Sequence, residues 1–163
     1  MVEKMKITIA CAGKVKEKYL REGIAEYAKR LSAYCTLDWY EVQDEKTPEG
    51  ASRETGRQIM QKEGARLLKG IPDSAFVTAL CIDGEMLDSV ELSSKLQQKM
   101  VQGTSHFVFV IGGSLGLSDE VVKRADAKLS FSRMTFPHQL MRLILLEQIY
   151  RSFRIMNHEP YHK

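Results

Sequence analysis

Two short runs constrain this chain more than any other feature. AFVTALCID (Ala75–Asp83) and HFVFVI (His106–Ile111) are apolar almost throughout and show none of the polar/apolar alternation of a half-wet strand. A strand that is apolar at both odd and even positions must be covered on both faces, which is the signature of a parallel sheet sandwiched by helices. The rest of the sequence fits that reading. MKITIACAG (Met5–Gly13) is a β-branched, apolar first strand, and Lys18–Leu31 carries an apolar stripe at helical spacing. TLDWYEV (Thr36–Val42) is strand-like, and DEKTPEGAS (Asp44–Ser52) is a polar loop. Ser52 opens a helix to about Leu68, and a further helix runs from Leu87 to Val101. A short helix starts at Asp119 with Ser118 as its N-cap, a strand stub covers Lys128–Ser130, and a long apolar helix follows Pro137. Strand and helix alternate, so the expected fold is α/β, with a mainly parallel sheet and helices on both faces. With 163 residues, no repeat and no linker, residues 1–163 read as one domain.

Several classes are excluded or disfavoured. No run reaches the roughly 18 apolar residues of a membrane span, and no signal peptide is evident at the start. Cys11, Cys35 and Cys81 are odd in number and form no Cys-x-x-Cys pair; Cys11 and Cys81 are expected as small buried hydrophobes. A cytoplasmic location follows as the expectation. The histidines are scattered without ligand spacing, so no metal is expected. The net charge of +3 is unevenly spread: from Val121 to Lys163 there are eight Lys/Arg against three Asp/Glu. That surplus is either a solvated basic face or a polyanion-facing end, with RNA as the natural partner.

GGSLG (Gly112–Gly116) follows the fourth strand and admits several readings. As Gly-x-Ser-x-Gly it is a hydrolase elbow, with Ser114, Asp126 and His138 in the right chain order. Against this, the next helix starts at Asp119 rather than directly after the serine. A dinucleotide fingerprint fails on glycine spacing and on strand position. The remaining readings are a plain tight turn or a backbone-lined ligand loop at the carboxyl end of a central strand. FSRMTFPH (Phe131–His138) offers hydroxyls and free main-chain groups, with Pro137 at the favoured first helical position and Thr135 or Phe136 as N-cap. His138 and Arg142 share one face of a helix that is apolar on nearly every other side. Such a helix packs on the sheet and on a partner subunit. The ending NHEPYHK is expected to fray unless Tyr161, His162 and Lys163 meet a base or a phosphate.

FVFVIGGSLGLS, LSFSRMTFPHQLMRLILLEQIYRSFRI, PYHK and MKITIACAGKVKEKY together resemble the knotted SPOUT methyltransferases, over about Met5–Lys163. Within that family the resemblance is to small members that methylate N3 of a pseudouridine in 23S rRNA. It implies a C-terminal trefoil knot, a homodimer, and S-adenosylmethionine held in the knot. The cofactor residues it implies are Leu80, Gly112, Phe131, Ser132, Arg133, Met134, Thr135 and Phe136. For proton removal and charge stabilisation the candidates are His138, Arg142, Tyr161 and His162, the last two reaching a partner's cofactor. The basic last quarter would grip rRNA phosphates, and the assembled ribosome (70S or large subunit) is the expected substrate. Residues 1–4 are a short extension by the same comparison. Rival readings are a Ser114 hydrolase, a ribosome-binding dimer without catalysis, and a knotted methyltransferase acting on tRNA.

Overall fold

The computed structural model describes residues 4–163, so most of the 1–4 extension lies outside it. Five strands, β1 (Met5–Ala12), β2 (Cys35–Val42), β3 (Phe76–Met86), β4 (His106–Ile111) and β5 (Ala127–Ser130), form one sheet in the order β2-β1-β4-β3-β5. Every pairing is parallel. The five helices are α1 (Lys18–Leu31), α2 (Arg53–Lys69), α3 (Ser89–Val101), α4 (Asp119–Arg124) and α5 (His138–Met156).

The two-sided apolar strands do what their sequence requires. Ile7, Ile9 and Cys11 of β1, with Phe107, Phe109 and Ile111 of β4, face a core closed by Leu31, Leu92, Leu96, Leu145, Leu146 and Ile149. The alternate residues Ala10, Ala12, Val108 and Val110 face a second core with Leu67, Ile71 and Val121. Helices α1, α3 and α5 therefore cover one face, and α2 and α4 the other. Each fully buried side chain such as Phe109 or Ile9 contributes roughly 1.5–3 kcal/mol.

Local chemistry sets most of the boundaries. Ser52 and Ser118 cap α2 and α4 by accepting from the Thr55 and Val121 amides. Helix α3 begins at Ser89, two residues later than the apolar pattern suggests, because Asp88 and Glu91 form a reciprocal capping box. The start of α5 also corrects the sequence reading. Pro137 has extended ψ of 133° and occupies the N-cap itself, so neither Thr135 nor Phe136 does, and the helix opens at His138.

Strand β3 is longer than expected, with an irregularity near its end. Leu129 pairs with both Leu80 and Glu85, so residues 81–84 bulge out of the ladder. A Cβ on Gly84 would lie 2.8 Å from the Leu129 backbone, so only glycine permits this crossing. Cys81 sits in the bulge and is only partly buried, unlike Cys11 and Cys35, whose thiols burial pushes up to about 11.

Candidate functional site

The carboxyl ends of β3, β4 and β5 meet the first turn of α5 around a cavity of about 620 Å³. Open parallel sheets bind ligands at this edge. Three segments build the wall: Leu80–Ile82 at the β3 bulge, the Gly112–Gly116 loop, and the chain from Leu129 to His138 without Arg133.

The glycine loop is held closed by its own backbone. The Gly116 amide donates to the Gly113 carbonyl at 3.0 Å, and Gly116 has φ of +93°. A Cβ on Gly112 would lie 2.5 Å from the carbonyl carbon of Gly116. Gly112→Ala therefore has to spread the loop against its own backbone. The expected result is weaker ligand binding at the cavity, read by calorimetry, together with a lowered denaturation midpoint.

Seven of the eight positions implied for the cofactor line the cavity: Leu80, Gly112, Phe131, Ser132, Met134, Thr135 and Phe136. Arg133 does not, and is exposed. The 131–136 segment is shaped by Ser132, whose hydroxyl accepts from the Met134 amide and whose carbonyl accepts from the Ser130 hydroxyl. Residues 131–136 make no backbone–backbone bond in the loop and cap bonds of the described residues, and only the Met134 amide and the Ser132 carbonyl are taken up by side chains. Met134, 74% exposed, and Ile82, 55% exposed, leave an apolar rim.

His138 reaches the wall from the first turn of α5. Loss of water around the ring, reinforced by the Arg142 guanidinium, holds it below the ordinary histidine range, while Asp44 pulls the other way. The ring is therefore neutral at neutral pH and able to accept a proton.

Arg142 lies one turn further on and does not line the cavity. It is 1% exposed, donating to Glu41 Oε2 at 2.7 Å and to the carbonyls of Ala12 and Gly13 at 3.0 and 2.9 Å. It fastens α5 to the carboxyl ends of β1 and β2, and reaches the cavity only through His138.

The hydrolase constellation is not assembled. Ser114 makes no hydrogen bond to His138, and Asp126 is engaged elsewhere, accepting from the Val77 amide at 2.8 Å and from Arg124.

The C-terminal tail is ordered rather than frayed, which corrects the sequence expectation. Tyr161 donates to Glu147 at 3.0 Å, packs edge-on against Tyr150 and lies under Arg151. Burial, then hydrogen bonds with Tyr27 and Glu147, pushes its phenol well above the ordinary range. Arg151 donates to His162 Nδ1 at 3.1 Å. These partners sit 9 to 13 residues beyond His138 on α5, about 14–20 Å along the helix axis. Within one chain the structure therefore brings Tyr161 and His162 together but not to the cavity. Because the Tyr161 proton is committed to Glu147, Tyr161→Phe is expected to destabilise by about 1 kcal/mol in urea titrations.

Much of the basic surplus of the last quarter is internal. Arg142 is buried, and Arg124, Arg151 and Arg154 pair with Asp126, Glu147 and Glu159.

Sequence reasoning missed the acids beneath the site. Glu63 of α2 is 5% exposed, accepts from the Glu45 amide at 2.8 Å, and is pushed up by burial. A Cβ on Gly113 would come within 2.9 Å of its Oε1, so the carboxyl backs directly onto the glycine loop. Its only sequence trace was a glutamate beside Gly64 on an inward-facing helix position.

Residues 5–162 match the family described as "Predicted SPOUT methyltransferase". Curated relatives from Bifidobacterium adolescentis, Bifidobacterium animalis subsp. lactis and Clostridium kluyveri are 60%, 59% and 57% identical over 159 residues. The match covers 98% of this chain and all of each relative, and each is named "Ribosomal RNA large subunit methyltransferase H". A solved structure of a probable methylase family protein from Haemophilus influenzae superposes with a TM-score of 0.51 at 12% identity, covering all of this chain and 72% of that one. That likeness concerns the fold alone.

Proposed function

The chain belongs to the SPOUT methyltransferase family, and on that premise we propose that it is a single-domain enzyme that transfers a methyl group from S-adenosylmethionine to N3 of a pseudouridine in 23S rRNA. The observation that carries the reading is the cavity at the carboxyl edge of the sheet, largely apolar in its walls and bordered by a 131–136 segment whose main chain is mostly unpaired within the protein. Such a lining fits an adenosyl sulfonium: the apolar walls of Leu80, Leu129 and Phe131 suit a purine, and the free backbone groups suit its edge and a carboxylate. When bound, the cofactor supplies a methyl carbon already activated for displacement.

The protein's own part is alignment, exclusion of water and movement of one proton. The 131–136 segment and the glycine loop fix where the methyl points. Neutral His138 would accept the N3 proton of the pseudouridine, while the cofactor would give up its methyl group and leave as the neutral thioether. Arg142 acts behind it as a positioning residue, holding α5 against β1. The positive charge of the imidazolium then forms inside a site that disfavours it, which returns the proton readily to water.

The trefoil knot and the homodimer belong to the same proposal. The glycine-only passage of residue 84 past Leu129 supports a threaded C-terminal segment. Leu140, Leu143 and Ile144 are only partly buried on α5 and supply an apolar face for a second copy. Tyr161 and His162 then meet a cavity only across that interface.

The test is methyl transfer from labelled S-adenosylmethionine to 70S ribosomes from cells lacking this enzyme, with the labelled nucleotide identified by mass. Label at N3 of a 23S pseudouridine is the expected result. Donor binding without transfer to ribosomes, subunits or tRNA would sink the substrate assignment.

A further inference from the structure

Arg124, Arg142, Arg151 and Arg154 are occupied internally, and besides the exposed Lys123, Lys128, Arg133 and Lys163 a second cluster of exposed cations lies near the other end of the chain. The segment from Lys14 to Arg21, which runs from the end of β1 into the first turn of α1, carries Lys14, Lys16, Lys18 and Arg21, all exposed. Lys14, Lys16 and Arg21 form no ion pair among the described residues, and Lys18 only a loose one with Glu22 at 3.8 Å. Tyr19 in their midst is 67% exposed, although a large aromatic gains little from water. The segment is also tied to the site. The Lys16 amide donates to the Gln139 side chain at 3.1 Å, and Gln139 follows His138. Gly13, at the root of the segment with φ of +85°, accepts from buried Arg142. A flexible basic loop would need no such anchoring. This one is held in register with the first turn of the helix that lines the cavity.

We infer that the Lys14–Arg21 segment is the RNA-docking surface of the enzyme, with Lys14, Lys16 and Arg21 on phosphates and the Tyr19 ring stacked on an unpaired base beside the target nucleotide. The inference rests on the proposed rRNA substrate and adds this segment to the exposed cations of the last quarter as a grip on it. Phosphate contacts supply salt-dependent affinity, and a base on an aromatic face supplies a salt-independent part, so the two can be told apart. Cofactor binding draws on neither.

The test uses the full-length protein and undermethylated ribosomes. For wild type, Tyr19→Ala and the triple variant Lys14→Gln/Lys16→Gln/Arg21→Gln, KM for ribosomes, kcat and donor affinity are measured between low and moderate salt. The expected result for the triple variant is a KM raised at least tenfold, with a log–log salt slope shallower by about 2. Tyr19→Ala should raise KM by roughly tenfold with the slope unchanged. Donor affinity and kcat at saturating ribosomes should stay within twofold in both. Unchanged KM in both variants would overturn the assignment, as would a change confined to donor affinity. A shift of Tyr19→Ala to a smaller species in sedimentation would overturn it too, by showing that the ring packs on a second copy. Wild type that binds donor but methylates no ribosome removes the underlying substrate reading, and this surface with it.

Discussion

His138→Ala is expected to lower kcat for methyl transfer by about 10²–10⁴-fold, the range for removing a positioned proton acceptor, with donor affinity changed by less than tenfold. The wild-type rate should fall on acidification through a pKa below the ordinary histidine value of about 6.5, because loss of water and Arg142 both disfavour the charged ring. The sign follows from the need for a neutral base: the rate rises with pH through that limb and is flat at neutrality. Asp44 is the one group that favours the imidazolium, so Asp44→Asn should move the limb to lower pH. An acid limb that survives unchanged in His138→Ala would refute the assignment. Folding obeys the same sign. The unfolded chain takes up the proton more readily than the folded one, so this residue costs stability as pH falls below about 6.5.

Arg142→Ala should be the most destabilising single change near the site, by about 3–5 kcal/mol in urea titrations. It removes the partner of Glu41, strips donors from the carbonyls of Ala12 and Gly13, and leaves a void where a 1% exposed side chain stood. Arg142→Met restores volume but no donors and should recover only part. Arg142→Lys keeps the charge yet cannot fork to a carboxylate and two carbonyls at once, and should fall between the two. A loss below about 1 kcal/mol for Arg142→Ala would show that the bonds it makes are replaced by water. Arg142 also disfavours the charged form of His138. In whatever fraction of Arg142→Met folds, the acid limb should therefore lie higher than in wild type.

What the sequence revealed, and what it did not, divides along the distance over which each feature is decided. β4 and α1 were legible to the residue, because an unbroken apolar run and a clean stripe need no outside information. Ser118 as a cap was legible for the same reason. The capping box at Asp88 and Glu91 was equally local and was passed over only because Leu87 prolonged the apolar pattern. The β3 bulge was not legible, since it exists to meet Leu129, and neither was the tail. Tyr161 looked like a frayed end because its partners Tyr27, Glu147 and Tyr150 lie 134, 14 and 11 positions away. At the cavity, the glycine loop drew attention because its composition allows a tight turn, while residues 131–136 were marked by their hydroxyls, the helix start behind them and the family resemblance. Arg142 was a candidate for the chemistry, and its pairing with Glu41, 101 positions earlier, was not legible. A charged residue on an apolar helix signals a buried partner or a reaction, and only the fold says which.

The bond from Arg142 to the β1 carbonyls joins the earliest strand to the final helix across some 130 positions. Contacts of that separation form late and slowly, since the loop they close is nearly the whole chain. A nascent protein that has not yet emitted α5 therefore has neither the wall of its cavity nor the fastening of β1, and a chain clipped before residue 138 has both defects at once. The cavity and the fastening of β1 therefore form together, when α5 docks.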